Sequence, residues 1–255
     1  MPFPFQELFQ GRILNLPPSQ ASRELGGWAR EVVDQEWGEA PELLGQERFR
    51  EALGRARARI AGPDGRELVK TVLVACDVPL AGLLLDHLRL RAIAPGLEQI
   101  PEAAPAFYVH RDTWYANPKA QINGWLPLVP VDSSNSFRFF LDDFERPVAN
   151  DSETFEAEDF QSRGGFGRTT ADPTSAYPRA LETSDSRVWD VAMPTDGVLF
   201  FSAAHLHGPL ANRSGKVRFS VDFRFLREAD LHSGAGARDP DNRSRGCVAA
   251  SYQPC

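Results

Sequence analysis

Gly197-Val198-Leu199-Phe200-Phe201-Ser202-Ala203-Ala204-His205-Leu206-His207-Gly208 is followed by a polar turn at Asn212-Arg213-Ser214 and then by Arg218-Phe219-Ser220-Val221-Asp222-Phe223-Arg224. The first segment reads as a buried strand that ends in two histidines, and the last as its return strand. Upstream, His110-Arg111-Asp112 supplies another imidazole and a carboxylate. Side chains alternate along an extended strand, so His110 and Asp112 are expected on one face. A histidine from a distant strand would complete a face of two imidazoles and one carboxylate. His207 is the first choice, because it closes the apolar run and precedes Gly208, where backbone can approach a small ligand closely. His205 lies on the same strand face and stays open as the alternate.

A two-His, one-carboxylate face leaves coordination positions open, which is how non-haem Fe(II) oxygenases admit oxygen and an organic acid. Arg218 and Ser220 share one face of the return strand. A guanidinium fork beside a hydroxyl suits a carboxylate.

The chain has 255 residues, 42% of them hydrophobic and 25% charged, with a net charge of −7. A single domain of β-sandwich or barrel type accommodates that length. The acidic balance argues against nucleic acid as a partner. No apolar run is long enough to span a membrane, and the first residues lack the basic-then-apolar order of a signal peptide, so a cytoplasmic protein acting on a small molecule is expected. Cys76, Cys247 and Cys255 form no close pairing motif and predict neither a disulfide framework nor a zinc site. The oligomeric state is not legible.

Residues 1 to about 20 are Pro-rich and irregular. From Ser22 the spacing of Trp28, Val32, Val33 and Trp37, continued by Phe49, Leu53 and Ala56, predicts helices. Gly62-Pro63-Asp64-Gly65 signals a turn, Glu67 to Val78 reads as a strand from its β-branched content, and Leu80 to Leu90 as a helix. Ala120 to Leu128 alternates as a half-buried strand, and Ser136 to Leu141 and Val188 to Val191 add others. Residues 142–187 lack periodicity and are rich in Asp, Glu, Pro, Gly and Ser, which predicts a lid loop. The expected fold class is mainly β with flanking helices, an α+β arrangement. Residues 1–100 form a mostly helical support, 101–230 the β core, and 231–255 a flexible tail. His110-Arg111-Asp112 with Asn117 also matches the protein-kinase catalytic-loop spacing, but the Gly-rich loop and Asp-Phe-Gly motif are missing.

The ordered set His-x-Asp, distal His, then Arg-x-Ser resembles the Fe(II)/2-oxoglutarate-dependent dioxygenases. The run from His207-Gly208 through Asn212, Ser214 and Arg218 is similar to their phytanoyl-CoA-dioxygenase-like branch. The resemblance spans roughly residues 105–226. It implies a double-stranded β-helix (jelly roll, cupin-like) core, with iron held by His110, Asp112 and His207 and with Arg218 and Ser220 gripping the distal carboxylate of 2-oxoglutarate. It also implies that 2-oxoglutarate and O2 become succinate and CO2 as a C–H bond is hydroxylated. In such cores the strand at 120–128 lines the pocket, so Gln121 and Asn123 are candidates for the cosubstrate and Trp125 for the substrate. Arg138 is expected to face the site. Arg163 and Arg168, on the lid, are expected to meet an anionic part of a small polar metabolite such as an amino acid or derivative. Two other readings stay open: a cupin-like isomerase or dioxygenase that does not use 2-oxoglutarate, and a non-catalytic small-molecule sensor.

Overall fold

The computed structural model describes residues 2–38, 40–163, 175–184 and 187–255. The N-terminal part forms α1 (Phe5–Phe9), β1 (Leu14–Leu16), α2 (Gln20–Trp37), α3 (Gln46–Ile60) and α4 (Pro63–Ala75). Ser19 caps α2: its hydroxyl accepts from the Ser22 backbone, and the Ser22 side chain accepts from the Ser19 N–H in return. Then follow β2 (Leu83–Leu85), β3 (Arg89–Ile93), β4 (Ile122–Pro127), β5 (Phe137–Phe140), α5 (Ala157–Ser162), β6 (Val188–Asp190), β7 (Val198–Ser202), β8 (His207–Pro209), β9 (Arg218–Arg227), α6 (Glu228–Ser233) and β10 (Gln253–Pro254).

The paired strands form two antiparallel sheets. The larger runs β1-β7-β4-β9-β2-β10, with β3 also on β9; the smaller is β6-β5-β8. The helix and antiparallel-sheet content is that of an α+β protein. On β9, period 2 decides the layers. Phe219, Val221, Phe223 and Phe225 join the core beneath α2, α3 and α4. Arg218, Ser220, Asp222 and Arg224 occupy the alternate positions, and Arg218, Asp222 and Arg224 line the interior cavity. Between the sheets, Trp125, Leu199 and Phe201 of the larger pack with Phe137 and Phe139 of the smaller.

Two local expectations are reversed. Residues 67–78 are mostly helix: Gly62 and Pro63 start α4, with Pro at the first position where its missing N–H costs nothing. Gly65, Val69, Val72 and Leu73 fall on its buried face. That 3.6-residue spacing outweighs the weak helix disfavour of valine. Residues 83–85 and 89–93 are strands: Leu83 and Leu85 are buried on alternate positions, and both β2 and β3 pair with β9. The first 100 residues therefore contribute three strands to the larger sheet as well as its helical backing.

Residues 231–255, expected as a flexible tail, pack against the body. β10 pairs with β2, and Tyr252 and the Asp241 carboxylate are buried. Within 142–187, Phe144, Phe155 and Phe160 are buried anchors and α5 is helical. Residues 164–174 and 185–186 of that expected lid lie outside the described residues.

Candidate metal centre

Among the described residues, His110, Asp112 and His207 each offer a ligand atom, and these atoms lie within 4.8 Å of one another. His110 and His207 face each other across an isolated antiparallel bridge, with reciprocal N–H···O bonds of 2.9 Å between their backbones. Asp112 is not on a continuous strand as expected; it opens a 3-10 turn, Asp112–Tyr115. The turn still brings its carboxylate 3.6 Å from His110 Nε2.

Both imidazoles are oriented from behind. His110 Nδ1 donates to Tyr108 O at 2.8 Å, and His207 Nδ1 to His205 O at 2.9 Å. A carbonyl partner forces the proton onto Nδ1 and leaves each Nε2 lone pair for the centre. Burial, reinforced by the nearby His110, pushes His207 down to about 4, so the ring is neutral. Burial alone would raise Asp112, but Arg224, with help from the two histidines, outweighs it and holds the carboxyl well below its ordinary range. Arg224 donates to Asp112 Oδ1 at 3.2 Å, and Asn123 to Oδ2 at 2.6 Å. His205 is buried elsewhere: its ring packs on Phe144 and Phe139, with centroids 4.4 and 5.3 Å away. Burial takes it down to about 3, and its backbone carbonyl, not its ring, serves the centre.

Arg218 and Ser220 sit together as expected, the guanidinium donating to the hydroxyl at 3.0 Å. Arg218 lies 5.7 Å from the centroid of Trp125, and its Nε is buried with no hydrogen-bond partner among the described residues. Burial lowers this arginine to about 10, still fully cationic at neutral pH. A small cavity of about 50 Å³ joins Arg218, Trp125 and Asn123 to the His110, Asp112 and His207 group. Gln121 stands behind that wall, not on it: it donates to Asn123 at 2.7 Å and accepts from Tyr252 Oη at 2.5 Å. Asn123 thus has the Asp112 carboxylate on one side and a buried chain on the other.

The other expected arginines are elsewhere. Arg138 pairs with Asp190 across β5 and β6 at 2.6 Å. With Phe137 and Phe139 facing inward, strand alternation places residue 138 on the outer side. Arg163 ends α5 and pairs with Asp159 at 3.0 Å on the surface. Arg168 lies outside the described residues.

Four contributors escaped the sequence reading, among them Arg224, which holds the Asp112 carboxylate. Arg111, fully buried, donates to the carbonyls of Asp143, Phe144, Arg146 and Ala204 and pairs with Asp241 at 3.2 Å. Asp239 accepts from Thr113 at 2.9 Å, and Asp241 from the Trp114 indole at 2.8 Å, so the C-terminal segment grips the turn that carries Asp112. Strand alternation was the available signal for Arg111: a residue between two inward ligands must point the other way. Nothing local marked residues 239 and 241.

No protein-family model matches this sequence, and no match is found among curated proteins. Among solved structures the chain is similar to EvdO2 from Micromonospora carbonacea var. aurantiaca, at 14% identity over 89% of this chain and 91% of that one, with a TM-score of 0.55. EvdO2 complexed with 2-oxoglutarate matches at 15% identity, 89% and 91% coverage and a TM-score of 0.48. The epimerase SnoN, in complex with Fe3+, alpha ketoglutarate and nogalamycin RO, matches at 16% identity, 87% and 83% coverage and a TM-score of 0.45. At these identities the likeness to the first structure establishes a shared fold and no more.

Proposed function

We propose that this protein is a non-haem Fe(II)/2-oxoglutarate-dependent oxygenase that hydroxylates an unactivated C–H bond of a small polar metabolite. One oxygen atom of O2 enters the product as hydroxyl and the other enters succinate, as 2-oxoglutarate loses CO2. The observation that carries the reading is the pairing, in one cavity, of a two-His, one-carboxylate group with the buried Arg218. The donor set fits a divalent iron with open positions. An orphaned guanidinium nitrogen beside a hydroxyl fits the far carboxylate of a dicarboxylic acid.

In this reading His110, Asp112 and His207 hold the metal, and Arg218 and Ser220 hold the cosubstrate. Bound iron supplies the activation of O2 coupled to 2-oxoglutarate decarboxylation. The chain's own groups do the positioning. Nδ1 protons held on Tyr108 O and His205 O fix both imidazoles, and Asn123 and Arg224 fix the carboxylate. Trp125, Phe137 and Phe201 exclude water from the cavity wall. The order of His207, Gly208, Asn212, Ser214 and Arg218 supports the phytanoyl-CoA-dioxygenase-like branch, and the two antiparallel sheets support its double-stranded β-helix.

The test is succinate formation from 2-oxoglutarate with ferrous iron in air. Wild type is expected to release succinate, and Asp112→Ala to release none above the protein-free background. Full succinate release by Asp112→Ala would remove that carboxylate from the metal site.

A further inference from the structure

Next to the small cavity lies a larger one of about 610 Å³, bordered by α3, β3, the turn at Asp112–Tyr115 and α5. The two share Arg91, His110, Asp112 and Arg224, so a molecule in the larger cavity reaches the metal group. Its volume falls within the usual range for small-molecule sites, roughly 300–1,000 Å³. We propose that it binds the substrate of the reaction above through an anionic group, a carboxylate or a phosphate-type oxyanion, held by Arg57, Arg89 and Arg91, with the rest of the substrate against Tyr115, Phe160 and Tyr177. This assignment rests on the oxygenase reading for the identity of the occupant, and on the cavity for its chemistry.

Charge carries the argument. Arg89 and Arg91 share a face of β3, and Arg57 reaches the same strand from α3, donating to Leu90 O at 3.1 Å. With Arg224 these are four guanidiniums, against the carboxylates of Asp86, Asp112 and Asp222. Burial and the neighbouring Arg91 push Arg57 down to about 10, which reports like charges crowded at a desolvated wall. An oxyanion relieves that crowding and meets guanidinium forks in their preferred geometry. The lining also carries aromatic side chains, with the Phe160 and Tyr177 rings 6.1 Å apart edge to face. A lining that is cationic in one part and aromatic in another selects an amphipathic acid over a neutral polar molecule. The surface Arg163 is not needed for this recognition.

The experiment is anaerobic calorimetry on protein loaded with ferrous iron and saturating 2-oxoglutarate, so that Arg218 is occupied. The probes are 3-phenylpropanoate, 3-phenylpropyl phosphate and 3-phenylpropanamide. At least one anion is expected to bind about tenfold or more tighter than the amide, as charge-assisted hydrogen bonds imply. Whichever anion wins decides between carboxylate and phosphate. Arg57→Gln should erase that preference and Arg57→Lys should keep part of it, with the iron–2-oxoglutarate absorption band formed in both. Equal binding of amide and acids, binding of none of them, or a full anion preference in Arg57→Gln would overturn the proposal. Titrations repeated with iron alone separate the two readings. Loss of the absorption band in wild type counts against 2-oxoglutarate, whereas the anion preference is scored independently of it.

Discussion

At the residue scale, the metal group depends on side chains that never touch a ligand. Arg111 is buried between His110 and Asp112, and a buried guanidinium is tolerable only while its charge and N–H groups are met. Asp241 supplies the charge and also accepts from the Trp114 indole and the Val148 N–H. Asp241→Asn is expected to cost about 3–5 kcal/mol, the usual loss when one partner of a buried pair is removed. Urea unfolding measures it, and a loss under about 1 kcal/mol would mean that the carbonyls alone satisfy Arg111. Gly124 is a second case. A Cβ there would stand 2.0 Å from the Phe223 ring, so Gly124→Ala is expected to destabilise by about 1–3 kcal/mol through overpacking. Thermal melting reads that directly. The placements legible in the sequence were those that follow from short spacing: His110 beside Asp112, and Arg218 beside Ser220. His207 was preferred to His205 because it closes the apolar run and precedes Gly208; the two share a strand face in the sequence reading, so alternation alone does not separate them. Arg57, Arg89 and Arg91 meet only because α3 lies beside β3, and no spacing announces that.

At the scale of elements, β9 was legible because period-2 alternation is strict where one face is apolar and the other lines a polar cavity. Segments 67–78 and 80–90 were misread for one reason. Both are short and apolar, and in such runs composition cannot settle helix against strand. Tertiary pairing decided: Val69, Val72 and Leu73 against the helical layer, Leu83 and Leu85 against β9. The end of α4 allows a chemical check. Cys76 follows that helix, and burial, with the adjacent Asp77 carboxylate, pushes its thiol up to about 11. At pH 8 it is almost entirely protonated, and only the thiolate is nucleophilic. Iodoacetamide should therefore modify the exposed Cys247 first, and Cys76 slowly, at a rate that climbs as pH rises toward 11. Fast modification of Cys76 at pH 8, followed by peptide mass spectrometry, would contradict the raised thiol at the end of α4.

At the scale of the molecule, two antiparallel sheets enclose the site, the helices back the larger sheet, and the C-terminal segment closes the ligand turn. The α+β class was legible from the sequence. The closing of residues 231–255 onto Asp112–Tyr115 was not, because its contacts, Asp241 to Arg111 and Tyr252 to Gln121, join positions far apart in the chain. No described helix is long and apolar enough to cross a membrane. The claim on which the functional account depends is that one cavity holds iron and 2-oxoglutarate together. An anaerobic titration of metal-free protein with ferrous iron and then 2-oxoglutarate tests it, read by the weak visible charge-transfer band of the chelate. The account predicts a band in wild type, its loss in His207→Ala, its persistence in His205→Leu, and a much higher 2-oxoglutarate requirement in Arg218→Ala. Iron binding with no band at any 2-oxoglutarate concentration would contradict it and favour a metal enzyme that works without that cosubstrate.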